Sequence, residues 1–347
     1  MNRKKVVLGM SGGVDSSTSV YLLQEQGYEV IGVTLNHKKE ESLKAEIEAA
    51  QRVAKFFEIK HIVIDIEDIF QKQVVDNFLE GYSSGITPSP CVICDERVKM
   101  KILFDIADKE EAYYVATGHY CSTEYSEEFN KTLLKKAEDS KKDQSYMLYR
   151  LDGDKIPRLL FPLFKYTKVE IREIGKSIGL EVHDKKDSQG ICFAKKGYID
   201  FLKANLGEKI KKGNFVDKAG KVMGEHEGYQ LYTIGQRRGL NLKLPRAYFI
   251  IAINPEKNEI VLGEYDELSR KRVELVEFKT PLNIEDMIGK EVIGRPRFSS
   301  FGAKGKLLLE NEKIYFEYEE ENVQNAPGQH LVIYYEDFVL GGGMIKY

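Results

Sequence analysis

Lys5-Val6-Val7-Leu8-Gly9-Met10-Ser11-Gly12-Gly13-Val14-Asp15-Ser16-Ser17 opens on an apolar run of strand length and closes on a Ser/Gly-rich turn. Helical spacing follows at once, with Val14, Ser17, Thr18, Tyr21 and Leu22 sharing a face. Strand, tight turn and helix together make an anion site. The glycines let backbone N–H groups approach a phosphate, and the helix N-terminus adds about half a positive charge. The turn is not a Walker A loop, because no Gly-Lys-Ser/Thr follows, and it does not read G-x-G-x-x-G.

Downstream, the same alternation continues. Glu29–Leu35 reads as a second strand, with a helix at about 43–57, a third strand at His61–Asp65 and a helix at about 67–80. Gly85-Ile86-Thr87-Pro88-Ser89-Pro90 breaks the pattern, a helix at about 95–109 follows, and Ala112–Thr117 is a fourth strand. Strands alternating with helices predict an α/β doubly wound parallel sheet with ligands at the carboxyl ends of its strands. The opening loop, Leu35 and Gly118-His119 all fall at such ends. The chain stays helical from about 165 to 205, and around Gly207 short β-like runs take over. From about 271 onward it is strand after strand, which suggests a small all-β barrel. The expected division is 1–206, the doubly wound domain that carries the opening loop; 207–270, a small β-rich central domain; and 271–347, a C-terminal β-barrel.

Composition narrows the class. At 347 residues with 42% hydrophobic and 31% charged, the chain reads as an ordinary globular protein of two or three domains. Met-Asn-Arg-Lys-Lys runs straight into the first strand, and no apolar run approaches the roughly 18 residues of a membrane span, so a cytoplasmic protein with no membrane partner is expected. The net charge is −3, yet residues 131–223 hold 22 Lys/Arg against 13 Asp/Glu. A basic middle on an acidic protein suits either a local phosphate-backbone footprint or a solvated lysine surface.

Ser11-Gly12-Gly13-Val14-Asp15-Ser16 resembles the PP-loop, Ser-Gly-Gly-x-Asp-Ser, of the ATP pyrophosphatases. In that superfamily the loop holds the pyrophosphate of ATP while AMP is transferred. Four cysteines in so long a chain are no disulfide framework. Cys91-Val92-Ile93-Cys94 stands just before the expected helix, whose dipole would favour a Cys94 thiolate. A structural zinc site would need a second such pair, and a thioredoxin-like pair does not suit this sheet. A third reading sets Cys94 against Cys192, one thiolate attacking a persulfide on the other, forming a disulfide and liberating sulfide. Cys121 has no assigned role.

Further motifs follow in order: Thr87-Pro88-Ser89-Pro90-Cys91-Val92-Ile93-Cys94, Ala116-Thr117-Gly118-His119-Tyr120, Lys142-Asp143-Gln144-Ser145-Tyr146, Lys186-Asp187-Ser188-Gln189-Gly190-Ile191-Cys192-Phe193, Tyr232-Thr233-Ile234-Gly235-Gln236-Arg237 and Ala326-Pro327-Gly328-Gln329. With the opening loop they resemble the tRNA-specific 2-thiouridylase family over essentially the whole chain. The resemblance implies adenylation of the C2 oxygen of a uridine at wobble position 34 of tRNA, then its replacement by sulfur. A carbonyl oxygen leaves poorly, which is why activation by AMP comes first; stabilising the departing pyrophosphate is an electrostatic task for the loop with Mg²⁺.

Carried over by motif, Gly9, Met10, Ser11, Gly12, Gly13, Val14, Asp15, Ser16, Leu35 and Gly118 would bind ATP. Cys192 would bear the persulfide and Cys94 would attack it. Ser89, Pro90 and Cys91 would face the target base. His119, Lys142, Asp143, Gln144 and Gln329 would touch tRNA, with Arg297 and Phe298 as a further contact. A cysteine desulfurase or relay protein would supply the sulfur. Asp15 could serve the metal or the loop, or simply cap the first helix.

Some family members carry Asp where this chain has Cys91, as an acid/base. The thiol leaves two alternatives open: persulfide chemistry, or a [4Fe–4S] cluster on Cys91, Cys94 and Cys192 with one iron free to bind sulfide. The chain also departs from the family in Leu35-Asn36-His37, in having no Trp, and in Asp95 and Gly190. Those departures leave room for a paralogue acting on another RNA. Other PP-loop enzymes, such as an amidotransferase-type synthetase or a tRNA lysidine synthetase, need no thiol at these places. A non-catalytic tRNA-binding protein would release no pyrophosphate.

Overall fold

Side chains alternate across a strand, and the first strand shows why this sheet is covered on both sides. The computed structural model describes residues 1–38, 41–181 and 190–346. In it, Val6, Val7 and Leu8 of β1 (Asn2–Gly9) are fully buried. Val6 and Leu8 pack with Val20 and Leu23 of α1 (Val14–Glu25) and Ala50 and Val53 of α2 (Glu41–Phe56). Val7 turns the other way, onto Met100, Leu103 and Phe104 of the helix Met100–Lys109. Each such side chain contributes roughly 1.5–3 kcal/mol of burial. Strands covered on both faces are what an all-parallel sheet requires.

β1 is flanked by β2 (Glu29–Asn36) and β4 (Ala112–Ala116), with β3 (Lys60–Asp65) beyond β2, all parallel. The two-stranded hairpin β5 (Cys121–Ser126) and β6 (Lys131–Lys136) follows, and then the two-residue β7 (Leu159–Leu160) extends the sheet past β4. The order is therefore β3-β2-β1-β4-β7, and it reverses beside β1. The crevice that binds ligands in such sheets opens there.

The middle of the chain forms a mixed sheet, in the order β10 (Phe249–Asn254), β11 (Glu259–Gly263), β8 (Gly213–Val216), β9 (Val222–His226). The last part is a barrel. β12 (Arg270–Lys279), β15 (Lys313–Asn322), β14 (Ala303–Glu310), β13 (Val292–Arg295), β16 (His330–Tyr335) and β17 (Phe338–Lys346) pair in that order, and β17 closes back on β12. The doubly wound sheet, β-rich centre and all-β barrel expected from the sequence are all present.

Three local differences have physical reasons. β17 gives no sequence signal because Gly341-Gly342-Gly343 interrupts it. Those glycines are needed where barrel strands crowd: a Cβ on Gly342 would lie 2.4 Å from the Leu331 carbonyl oxygen. The β5–β6 hairpin leaves the parallel sheet and joins the barrel through Phe338 and Lys135. The helical stretch at 165–205 resolves into Lys168–Ser177 and Tyr198–Leu206. The Lys186-Asp187-Ser188-Gln189 part of its motif lies outside the described residues.

The barrel is held to the parallel-sheet domain by a buried polar joint. Tyr149 Oη and His330 Nδ1 are 2.5 Å apart, and Arg150 Nε donates to Glu96 at 2.7 Å. Burial pushes His330 down to about 3, so it stays neutral there. No helix among the described residues is long and apolar enough to cross a membrane.

Candidate active site

The glycine turn after β1 has the geometry its sequence demands. Gly12 sits at φ +68°, and a Cβ there would fall 2.4 Å from the Glu46 carbonyl oxygen of α2. Gly13 is the N-cap of α1 and no side chain caps that helix end. Its first-turn N–H groups therefore face the crevice, as an anion cradle needs. Gly118, at the end of β4, lies so close to α1 that a Cβ would be 3.2 Å from the Ser16 nitrogen.

Asp15 does not cap α1. Its carboxylate accepts from Tyr120 Oη at 2.8 Å and from Lys168 Nζ at 2.6 Å. The capping alternative thus gives way to a structural link that brings a lysine to the edge of the loop. Lys168 opens its helix, where sequence pattern alone marks it as a surface residue.

A pocket of about 500 Å³ opens over this turn. Its wall includes Gly9, Met10, Ser11, Asp15, Ser16, Leu35 and Gly118 on one side, and Pro90, Cys91, Cys94, His119, Gln144 and Cys192 on the other. Motifs far apart in the chain converge on one cavity of nucleotide size. Gly12, Gly13, Val14, Ser89, Lys142, Asp143, Arg297, Phe298 and Gln329 are not part of its wall.

The thiols correct one expectation. The helix begins at Pro90, not Asp95, with Pro in its first turn, and Cys94 lies at the end of that first segment. Cys94 therefore has no helix N-terminus to favour its thiolate. Desolvation by the surrounding pocket walls pushes Cys94 up to about 12 and Cys91 up to about 11, and raises Cys192 too, although Cys91 and Cys192 keep part of their surface open to solvent. Lys99 is the cation that opposes this at all three. It reaches the pocket from a π-helical turn, Asp95–Lys99, an uncommon widening that recurs at functional sites.

Sequence reading missed Lys99, although its i,i+4 relation to Asp95 was visible. Lys99 Nζ stands 2.5 Å from Asp95, and His119 Nε2 stands 3.6 Å from the same carboxylate. His119 Nδ1 is 2.8 Å from Thr117 Oγ1. Burial alone would raise the Asp95 carboxyl; Lys99, and then His119, hold it down at about 2. Lys99→Gln should therefore slow alkylation of the three thiols at neutral pH and move the rising limb of its pH–rate profile to higher pH, with Lys99→Arg restoring most of the rate. A profile of unchanged position would show that Lys99 serves only Asp95.

Among the described residues, no three His, Cys, Asp or Glu side chains stand together in a way that could hold a metal ion. Cys91, Cys94 and Cys192 nevertheless share the wall of one pocket. The Asp15 carboxylate is paired with Lys168.

Other residues expected at the tRNA surface have internal duties. Asp143 is buried and its carboxylate accepts from Ser145 N at 3.1 Å and Arg295 Nη1 at 2.9 Å. Gln144 Oε1 accepts from Tyr120 N at 3.0 Å. Gln329 Nε2 donates to the Thr87 carbonyl at 2.9 Å, so the barrel braces the turn that carries Ser89, Pro90 and Cys91. Arg297 Nη2 reaches the Ile234 carbonyl at 3.5 Å, and Phe298 is partly exposed.

Comparison with known proteins agrees with this convergence. Residues 4–196 match the tRNA methyl transferase HUP domain family, 199–264 the tRNA methyl transferase PRC-barrel domain family, and 295–345 the aminomethyltransferase β-barrel domain family. A tRNA-specific 2-thiouridylase of Fusobacterium nucleatum is 59% identical over 343 residues, covering 99% of this chain and all of that protein. One from Clostridium botulinum is 41% identical over 354 residues, covering 100% and 99%. A solved U34-tRNA thiolase from Methanococcus maripaludis, with its [4Fe–4S] cluster, is 21% identical over 59% of this chain and 66% of its own, at a TM-score of 0.37. That likeness is too slight to bear on the thiols here.

Proposed function

Because the chain belongs to the tRNA-specific 2-thiouridylase family, we propose that it replaces the C2 oxygen of the wobble uridine of tRNA with sulfur, using ATP and a cysteine persulfide, in the cytoplasm. The observation that carries this reading is the single pocket shared by the Ser/Gly loop and three thiols.

In the first step the uridine C2 oxygen attacks the α-phosphorus of ATP, the bond to the β-phosphate oxygen breaks, and pyrophosphate leaves. The uncapped first turn of α1 meets that charge with N–H donors, and Lys168 stands behind Asp15 at the loop's edge. Mg²⁺, which binds largely through substrate phosphates, would arrive with the nucleotide.

In the second step Cys192 carries the persulfide, loaded by a cysteine desulfurase or a sulfur-relay protein. The Cys94 thiolate attacks Cys192 Sγ, the persulfide S–S bond breaks, and hydrosulfide leaves as the Cys94–Cys192 disulfide forms. Hydrosulfide adds to the activated C2, AMP departs with the former carbonyl oxygen, and one proton is released. A thiol reductant then returns two electrons to the disulfide. Cys192 and Cys91 are exposed and Cys94 is half-buried, which suits a thiol loaded from outside and an attacker held within.

The test is mass spectrometry of tRNA nucleosides from cells lacking this protein. Loss of 2-thiouridine derivatives, restored by the intact chain, is the expected result. Unchanged 2-thiouridine in a genome with no second such enzyme would sink the tRNA assignment and direct the search to other RNAs.

A further inference from the structure

One motif is left without a task by the chemistry above: Thr233-Ile234-Gly235-Gln236-Arg237. It forms a tight turn, Gln236 N donating to the Thr233 carbonyl at 3.0 Å, and the turn is pinned again by Gln236 Oε1 accepting from Thr233 N at 3.1 Å. Arg237 and Arg238 project from it, both exposed. No acidic side chain among the described residues forms an ion pair with either.

Against this turn lies the barrel loop that follows β13. Arg297 Nη2 reaches the Ile234 carbonyl, so loop and turn form one continuous surface. The loop ends in Phe301, which is 100% exposed, the most exposed of the large apolar side chains in the described residues. A lone exposed Phe is ordinary. What is unusual is how firmly its loop is built. Arg295 donates to the Phe298 carbonyl at 2.7 Å and to the Ser300 carbonyl at 3.0 Å, and Ser300 is itself buried. Gly302, at φ +87°, donates its N–H to Ser300 Oγ at 3.0 Å. The same Arg295 is tied to Asp143, whose neighbour Gln144 lines the active pocket. A braced backbone thus presents a bare aromatic ring on the loop that meets, through Arg297 and Ile234, the turn carrying the exposed Arg237 and Arg238, and Arg295 ties that loop to Asp143 beside the pocket.

We propose that this loop and turn form an RNA clamp. Phe301 stacks on an unpaired base of the anticodon loop that flanks the target uridine, and Arg237 and Arg238 take backbone phosphates beside it. The proposal rests on the tRNA reading above. An exposed aromatic with adjacent arginines is what single-stranded RNA recognition uses, because every base has a π-face and every linkage a charge. A target base drawn into a pocket leaves its neighbours unstacked, and a ring held ready by a rigid loop takes one at little entropic cost.

The experiment measures the Kd for a tRNA transcript, and separately for its isolated anticodon stem-loop, alongside thiolation kinetics of the full chain. Phe301→Ala should weaken both Kd values about tenfold and raise the KM for tRNA equally, with the KM for ATP unchanged. Phe301→Tyr should restore both. Arg237→Gln with Arg238→Gln should lower the slope of log Kd against log salt by about one to two. Phe301→Ala within twofold of the unaltered chain on both RNAs would overturn the clamp while leaving the reaction standing. Binding that is sensitive to Phe301 in a chain that thiolates no tRNA would support the clamp and overturn the reaction.

Discussion

Cys94→Ser and Cys192→Ser should each lower formation of 2-thiouridine by roughly a thousandfold or more, because in the mechanism proposed above each removes a sulfur whose bond is made or broken in every turnover. The two failures should differ in kind. With labelled sulfur supplied by a desulfurase, Cys192→Ser should carry no protein-bound label, while Cys94→Ser should load normally and hold it. Neither variant should form the Cys94–Cys192 disulfide, and both should bind tRNA and adenylate it. Cys91→Ser separates the chemistries: persulfide exchange does not need that thiol, whereas a three-ligand cluster would lose a corner. Retained thiolation in Cys91→Ser is the result expected from the persulfide chemistry proposed above, and its loss would favour the cluster. Thiolation by Cys94→Ser at the unaltered rate would show that another group attacks the persulfide.

Gly12→Ala should abolish adenylation at least about a hundredfold, the scale on which misplacing one transition-state donor is felt. Alanine at φ +68° costs roughly 1–2 kcal/mol by backbone conformation alone. Its Cβ would also meet the Glu46 carbonyl at 2.4 Å, and a backbone group of a packed helix cannot step aside. The loop must shift, and its N–H groups leave the position of the departing pyrophosphate. Gly13→Ala is the control. Its φ is −96° and the nearest atom to a Cβ is Ser11 Oγ at 3.5 Å, so a much smaller loss is expected. Pyrophosphate release in the presence of tRNA reads both. Equal losses in the two variants would mean that a ligand-facing Cβ, rather than the strained turn, sets the outcome.

The parts of this protein that were legible from its residues share one property: local pattern and tertiary role agree. β1 reads as a strand because Val6, Val7 and Leu8 are apolar together, and they are apolar together because both faces of that strand are covered. His330–Tyr335 reads correctly for the same reason. β17 was illegible because barrel closure demands glycine where strand propensity demands bulk. At the site, the convergence of the loop, the Cys pair and Cys192 followed from motifs, whereas the electrostatics did not. Cys94 was expected to gain from a helix start, but Pro90 moves that start one turn upstream and burial acts in the opposite direction. Lys99 and Lys168 belong to no motif, and Tyr120 closes one that assigns it no role. Lys168 and Tyr120 reach Asp15 across distances that only the folded chain closes, and Lys99, though four residues from Asp95, gains its weight from the thiols that the fold brings around it.

The pairing of β17 has a consequence for how the protein is made. Those nine residues are bonded at once to β16, to β12 and to a hairpin synthesised some two hundred positions earlier. While the ribosome is still adding them, three strand edges stand open, and the Gln329 brace on the Thr87–Pro90 turn has no finished barrel behind it. A nascent or prematurely terminated chain can therefore complete its nucleotide loop yet lack the support that positions its thiols. Removing β17 would leave the edges of β12, β16 and β6 unpaired together.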